Sequence, residues 1–285
     1  MSRRKKSGSN RTSRHIRLRT IVPPIQLGSD HQNPNCYARV LGGCATTLSD
    51  EHFLSFSLLM RLCRDERGIF VRGLGRNADG KWIQPERVIG RVLCTTHNSA
   101  LSPFDDFAGN FGDELTRSMV AATEGRLVSS VVGFSGCNLE RWMLKVLCGL
   151  VASNQAARLG GEALSSEVPE SWVRWLFARA EFLPPLGLYV NGEIGRERTV
   201  DPSIRVGPIT VAGHEVVGLE FSFQWFDAVL ILAGWRGTPT GAIDPMSIRR
   251  PRHMVLNDGK SEHRIELGWV DPGPGVEIGY RAAAG

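Results

Sequence analysis

Apolar residues recur every three or four positions over residues 54–64, where Leu54, Leu58, Leu59 and Leu62 form one stripe that predicts a short helix. A longer stripe of Phe104, Phe107, Ala108, Phe111, Leu115 and Met119 predicts a second helix, read as core. Ser102 is its expected N-cap, Pro103 its first helical residue, and Asp105 and Asp106 lie near the positive end of its dipole. Two further helices are predicted over 139–157, with Trp142, Val146, Leu147 and Leu150 on the apolar face, and over 170–180 after Pro169. Short apolar runs predict strands at 69–72 and within 81–93, joined as a hairpin, and at 127–134. From Gly187 onward the texture is β: strands are predicted at 187–190, 209–211, 215–223, 228–233, 252–256 and 264–270, separated by Gly, Pro, Asn and Asp turns. The predicted class is α+β, with a basic arm over 1–29, an N-terminal unit over 30–125, and a C-terminal unit over 126–285 of helices followed by an antiparallel sheet.

Composition narrows this picture. With 285 residues, 42% of them apolar, the chain can bury a real core, which excludes wholesale disorder. The net charge of +5 is uneven: residues 1–19 hold Arg3, Arg4, Lys5, Lys6, Arg11, Arg14, Arg17 and Arg19 without an acid, leaving 26 bases against 29 acids elsewhere. Such an arm attracts a polyphosphate backbone without reading sequence, so Arg3, Arg4, Lys5, Lys6, Arg11 and Arg14 are candidate nucleic-acid contacts; the plainer reading is solubility. No apolar run approaches the roughly 18–20 residues of a membrane-crossing helix, and none is expected. The start of the chain lacks the apolar stretch of a secretory signal, so a cytoplasmic location is expected. Six scattered cysteines favour thiol or metal chemistry in a reducing compartment over a disulfide scaffold.

Four soft ligands fall in two pairs, Cys36-x7-Cys44 in a Gly-containing loop and Cys94-x2-His97 at a predicted strand-to-helix junction. Three Cys and one His make a closed tetrahedral set for a structural Zn²⁺. Cys63, Cys137 and Cys148 sit among apolar residues and are read as core. Within the frame of the pairs lies Glu51-His52, where Glu51 can hold a hard divalent ion and His52 can act as general base. Asn98, next to His97, adds a neutral oxygen ligand.

Cys36, Cys44, Glu51-His52 and the run Leu93-Cys94-Thr95-Thr96-His97-Asn98 together resemble the zinc-bearing branch of the HNH nuclease family, with its ββα-metal, treble-clef core, over about residues 33–110. The resemblance implies Cys94 and His97 as zinc ligands, Glu51 and Asn98 as ligands of a catalytic Mg²⁺ or Mn²⁺, and His52 as the base that activates water against a phosphodiester of DNA. The chain departs from that family in three places: 41 residues separate His52 from Cys94, residues 87–93 lack the Asn that orients the base, and no Pro follows His52 closely. The alternative is a catalytically silent zinc-binding treble-clef module that contacts nucleic acid or protein. Elsewhere, Gly133-Phe134-Ser135-Gly136 fails the nucleophile-elbow pattern because Cys137 replaces its last glycine. Residues 249–253, with three arginines and His253, read as a solvated strand edge.

Overall fold

The computed structural model of the chain describes residues 18–25, 30–63, 68–73, 80–154, 164, 167–192, 197–201, 203–211, 215–233, 246–271 and 277–283. In chain order its elements are β1 (Leu48–His52), α1 (Phe56–Leu62), β2 (Ile69–Arg72), β3 (Lys81–Ile83), β4 (Ile89–Cys94), α2 (Thr95–Thr123), β5 (Ser130–Ser135), α3 (Gly136–Ser153) and α4 (Glu170–Leu176). They continue with β6 (Gly187–Asn191), β7 (Glu197–Arg198), β8 (Ile204–Val211), β9 (Glu215–Phe223), β10 (Phe226–Ile231), β11 (Ser247–Arg249), β12 (His253–Asn257), β13 (Glu262–Gly268) and β14 (Glu277–Ala282). β1 and β4 pair antiparallel, with Leu48 opposite Cys94 and His52 opposite Ile89. A seven-stranded sheet has the order β11-β6-β10-β9-β8-β2-β3 and a five-stranded sheet the order β5-β13-β12-β14-β7.

The mixed α and β content agrees with the sequence reading, but the single antiparallel sheet does not. In the smaller sheet β5 runs parallel to β13 and β14 parallel to β12. Parallel neighbours need a long crossover, and the chain between β5 and β13 supplies one that includes α3. The boundary expected at 125/126 also fails to separate two structural units. β2 and β3 form the predicted hairpin, yet β2 docks on β8 in a parallel pair, with Val71 opposite Ile204. A lone hairpin cannot bury the inward-facing Ile69 and Val71, whereas docking on β8 puts them into one core shared by both halves of the chain.

The second helix begins at Thr95, and Pro103 lies inside it. Proline has no N–H to give to the Ser99 carbonyl one turn earlier. The Ser102 hydroxyl donates to that carbonyl at 2.9 Å, so the residues read as a helix start serve instead as a repair within a longer helix. The stripe of Phe104, Phe107, Phe111, Leu115 and Met119 is buried as predicted, with Phe111 edge-on to Phe134 and Phe226.

At the centre lies α3, every residue of which is buried except Ala152. Ser135 caps its start by accepting the Asn138 N–H at 3.2 Å, which uses the serine for structure. A helix buried all round should be apolar throughout, yet α3 carries Glu140, Arg141 and Lys145, each with a partner. Arg250 makes a two-point contact with Glu140 at 2.8 and 3.0 Å, and Arg141 reaches Glu181 at 2.9 Å. Packing here is close: a Cβ on Gly149 would be driven into Phe53. Gly149→Ala is therefore expected to destabilise the chain by about 1–3 kcal/mol despite alanine's better helix propensity, as read from denaturant midpoints. Among the described residues no helix is long and apolar enough to cross a membrane.

Candidate metal centre

Cys94 closes β4 and is the N-cap of α2, and His97 follows in the first helical turn, so the two side chains project to the same side of the junction. The other pair comes from the segment ahead of β1. There the Cys36 N–H donates to the Asn33 carbonyl at 3.0 Å, the Cys44 N–H to that of His31 at 3.0 Å, and the Asn33 amide to that of Thr46 at 2.9 Å. Gly42 and Gly43, at φ of 71° and 65°, turn the chain back between the cysteines in a region that side chains with a Cβ avoid. Tyr37 N–H to the Val92 carbonyl and Thr95 N–H to the Thr47 carbonyl, both 3.0 Å, lock this loop to the β1–β4 pair.

The result is one buried cluster of Cys36, Cys44, Cys94 and His97, whose ligand atoms all lie within 4.8 Å of one another. The Cys36, Cys44 and Cys94 Sγ atoms are 3.5, 3.7 and 3.2 Å from His97 Nδ1. A tetrahedral zinc with its usual bond lengths has sulfur-to-nitrogen edges of about 3.5 Å, so both the donor set and its size fit that ion. Burial raises the Cys36 and Cys44 thiols, so their thiolates need a cation to carry their charge. Among the described residues this is the one group of three or more His, Cys, Asp or Glu side chains placed to share an ion.

The residues expected to hold a second ion are otherwise engaged. Glu51 is buried, and its Oε1 lies 2.6 Å from Lys145 Nζ. That ammonium, wholly shielded from solvent on α3, also donates to Asp105 Oδ1 at 2.8 Å and to the His52 carbonyl at 3.2 Å. Ser55 completes the network, donating to Asp105 at 2.7 Å and accepting from Trp142 Nε1 at 2.9 Å. Burial alone would lower Lys145, but Glu51 and Asp105 outweigh it and hold the ammonium above the ordinary lysine range. Burial pushes Glu51 toward its protonated form against the pull of Lys145; with the ammonium 2.6 Å away, the ionised pair is the arrangement that satisfies both groups. Burial, then Lys145, lower His52, which is neutral at pH 7; its Nε2 is buried with no hydrogen-bond partner among the described residues. Asn98 turns to β1 and donates to Ser49 Oγ at 2.8 Å.

Sequence reasoning missed Lys145 and Asp105. The available signal was a lysine three residues after Trp142 on a helix whose following residues are almost wholly apolar. Arg3, Arg4, Lys5, Lys6, Arg11 and Arg14 lie outside the described residues. The chain that follows them is fixed by Asn138, which accepts from Ile21 N–H and donates to the Arg19 carbonyl, both at 2.8 Å, while Leu18 rests over Gly133 and Gly268. The solvated edge read at residues 249–253 needs correction at Arg250, which is buried on Glu140 and, with the Leu188 N–H, satisfies the carboxylate of a buried helix. Comparison of the chain with protein-family models, curated proteins and solved structures gives no match.

Proposed function

We propose that the chain is a zinc-stapled nucleic-acid-binding protein built on a treble-clef unit over about residues 33–110, and that this unit works without a hydrolytic divalent ion. The zinc part rests on the size and donor chemistry of the Cys36, Cys44, Cys94 and His97 set. The observation that carries the silent reading is Lys145, whose ammonium is bonded to both Glu51 and Asp105. A divalent ion on Glu51 would have to share that carboxylate with a fixed positive charge in a desolvated site, where repulsion is strong. The eight cations of residues 1–19 support nucleic acid as the partner, through salt-sensitive contact with phosphates.

A metal-dependent endonuclease acting on DNA is the second reading, and one observation favours it. β1, β4 and α2 follow as strand, strand and helix, with Glu51 and a neutral His52 ending the first strand and Asn98 in the helix. In that reading His52 would take a proton from water, and Glu51 and Asn98 would hold a Mg²⁺ or Mn²⁺ whose charge offsets that of the scissile phosphate.

One experiment separates the two. Wild type and His52→Ala are incubated with supercoiled plasmid in Mg²⁺ or Mn²⁺, bound zinc is measured in both, and duplex binding is followed by anisotropy over a salt series. The expected result is zinc in both proteins, nicking by neither, and binding that weakens with salt. Deleting residues 2–17, which carry seven bases, should flatten the slope of log affinity against log salt by up to about 6. Nicking by wild type alone would establish the endonuclease, and an unchanged slope would remove the arm from the binding surface.

A further inference from the structure

The face of the five-stranded sheet that meets α2 carries a second cluster of chemical groups, distant in sequence from the cysteines. His263 on β13 lies directly opposite Ser130 on β5 in parallel register, which puts the two side chains on one face. Ser130 Oγ is 2.8 Å from His263 Nδ1. On the far side of the ring, His263 Nε2 is 3.1 Å from Glu114 Oε1, which also accepts from Arg117. Glu114 and His263 are buried, whereas Ser130 is exposed, so the series runs from an interior carboxylate to a hydroxyl at the surface.

The proton arrangement follows from the carboxylate. Burial would raise Glu114, but hydrogen bonds from His263 and Arg117 hold it down at about 2, and it is ionised at neutral pH. With the ring proton on Nε2, the nitrogen 3.1 Å from that carboxylate, the Nδ1 lone pair faces Ser130. The Ser130 hydroxyl then has two acceptors, Nδ1 at 2.8 Å and the Val128 carbonyl at 3.0 Å.

We propose that Ser130, His263 and Glu114 form a nucleophilic serine site for esters with a short apolar acyl chain. Ser130 Oγ attacks the acyl carbon as its proton passes to Nδ1, and Glu114 balances the imidazolium. The bond from the acyl carbon to the leaving oxygen breaks, and that oxygen takes the proton from Nδ1. Water then adds to the acyl-serine in the same way, releasing the acid and restoring the hydroxyl. Val128, 72% exposed and two residues before the serine, offers the acyl chain apolar surface. Among the described residues β5 pairs with β13 alone, and main-chain N–H groups directed away from β13 are the available donors for the developing oxyanion.

The test is covalent labelling of the full chain with an alkyl fluorophosphonate, the adduct being mapped by mass spectrometry. Attack by Ser130 forms a phosphonate ester and releases fluoride together with the hydroxyl proton. The expected result is an adduct on Ser130 in preference to its exposed neighbour Ser129, and none at that site in Ser130→Ala. His263→Gln should slow labelling about 100-fold, the usual contribution of a positioned base, and hydrolysis of p-nitrophenyl butyrate should fall in parallel. No adduct on wild type, an adduct spread over exposed serines, or an unchanged rate in a folded His263→Gln overturns the proposal. The comparison of Ser130 with Ser129 is made within the wild-type chain, so it decides the matter even if His263→Gln fails to fold.

Discussion

Cys94→Ala is expected to leave the chain without zinc and without a cooperative thermal transition for the segment around it, whereas His52→Ala keeps both. Cys94 holds two positions at once, as the last residue of β4 and the N-cap of α2, so its thiolate fixes the angle between strand and helix as well as the ion. The loop carrying Cys36 and Cys44 has no strand and no helix longer than a single turn, and is tied to the β1–β4 pair by isolated main-chain hydrogen bonds. Apparent zinc-binding free energies in zinc-finger peptides are about 10–16 kcal/mol, comparable with the whole stability of an ordinary domain at about 5–15 kcal/mol. Metal analysis by mass spectrometry, with melting curves before and after 1,10-phenanthroline, checks this. A metal-free wild type whose melting is indifferent to the chelator would dispose of the zinc centre.

Lys145→Met should destabilise the chain by about 3–5 kcal/mol, because it leaves Glu51 and Asp105 facing each other without their cation. The sign of its pH dependence follows from Glu51. Burial already raises that carboxyl, and Lys145 is what opposes it, so removing Lys145 raises the folded-state pKa further above the ordinary glutamate value of 4.5. A carboxyl raised on folding binds more protons in the native state, so its contribution is intact below the unfolded pKa and is lost as pH rises through the folded one. The deficit of Lys145→Met relative to wild type should thus shrink from neutral pH toward pH 4.5, and Glu51→Gln in the same chain should recover part of it at pH 7. Urea titrations at several pH values read both effects. A deficit that is constant with pH would mean that Glu51 is not the group left exposed to the change.

The cluster of three cysteines and a histidine was legible in the sequence because its strongest part is local: Cys94 and His97 are three residues apart at a strand-to-helix junction, where spacing brings them together. Glu51 was legible as a carboxylate but not as a partner. Its cation lies on a helix that the sequence places far away, and no local pattern reveals that Lys145 points at β1. The strands of the C-terminal half were visible as apolar runs, but their order depends on pairings between distant segments, such as Val71 with Ile204, that periodicity does not encode. The start of α2 was misplaced for a different reason. Ser-Pro followed by acids is a good helix start, but the preceding turn is helical too, held by Thr95 on the Thr47 carbonyl and by His97 among the three cysteines. Ser130, His263 and Glu114 escaped notice because each comes from a separate element and none is unusual alone.

The contacts of Lys145 and Trp142 bear on how this protein can change over evolutionary time. Both side chains belong to α3, yet one neutralises the carboxylates of the ββα unit and the other caps the Ser55–Asp105 bond inside it. A unit of β1, β4 and α2 that closed on itself could be moved between genes and fused to new neighbours. Here its interior is finished by a helix encoded downstream, so a recombination break near residue 125 would separate the acids from their base. The two halves must be inherited together, and substitutions at Glu51, Asp105 and Lys145 should be tolerated only in concert.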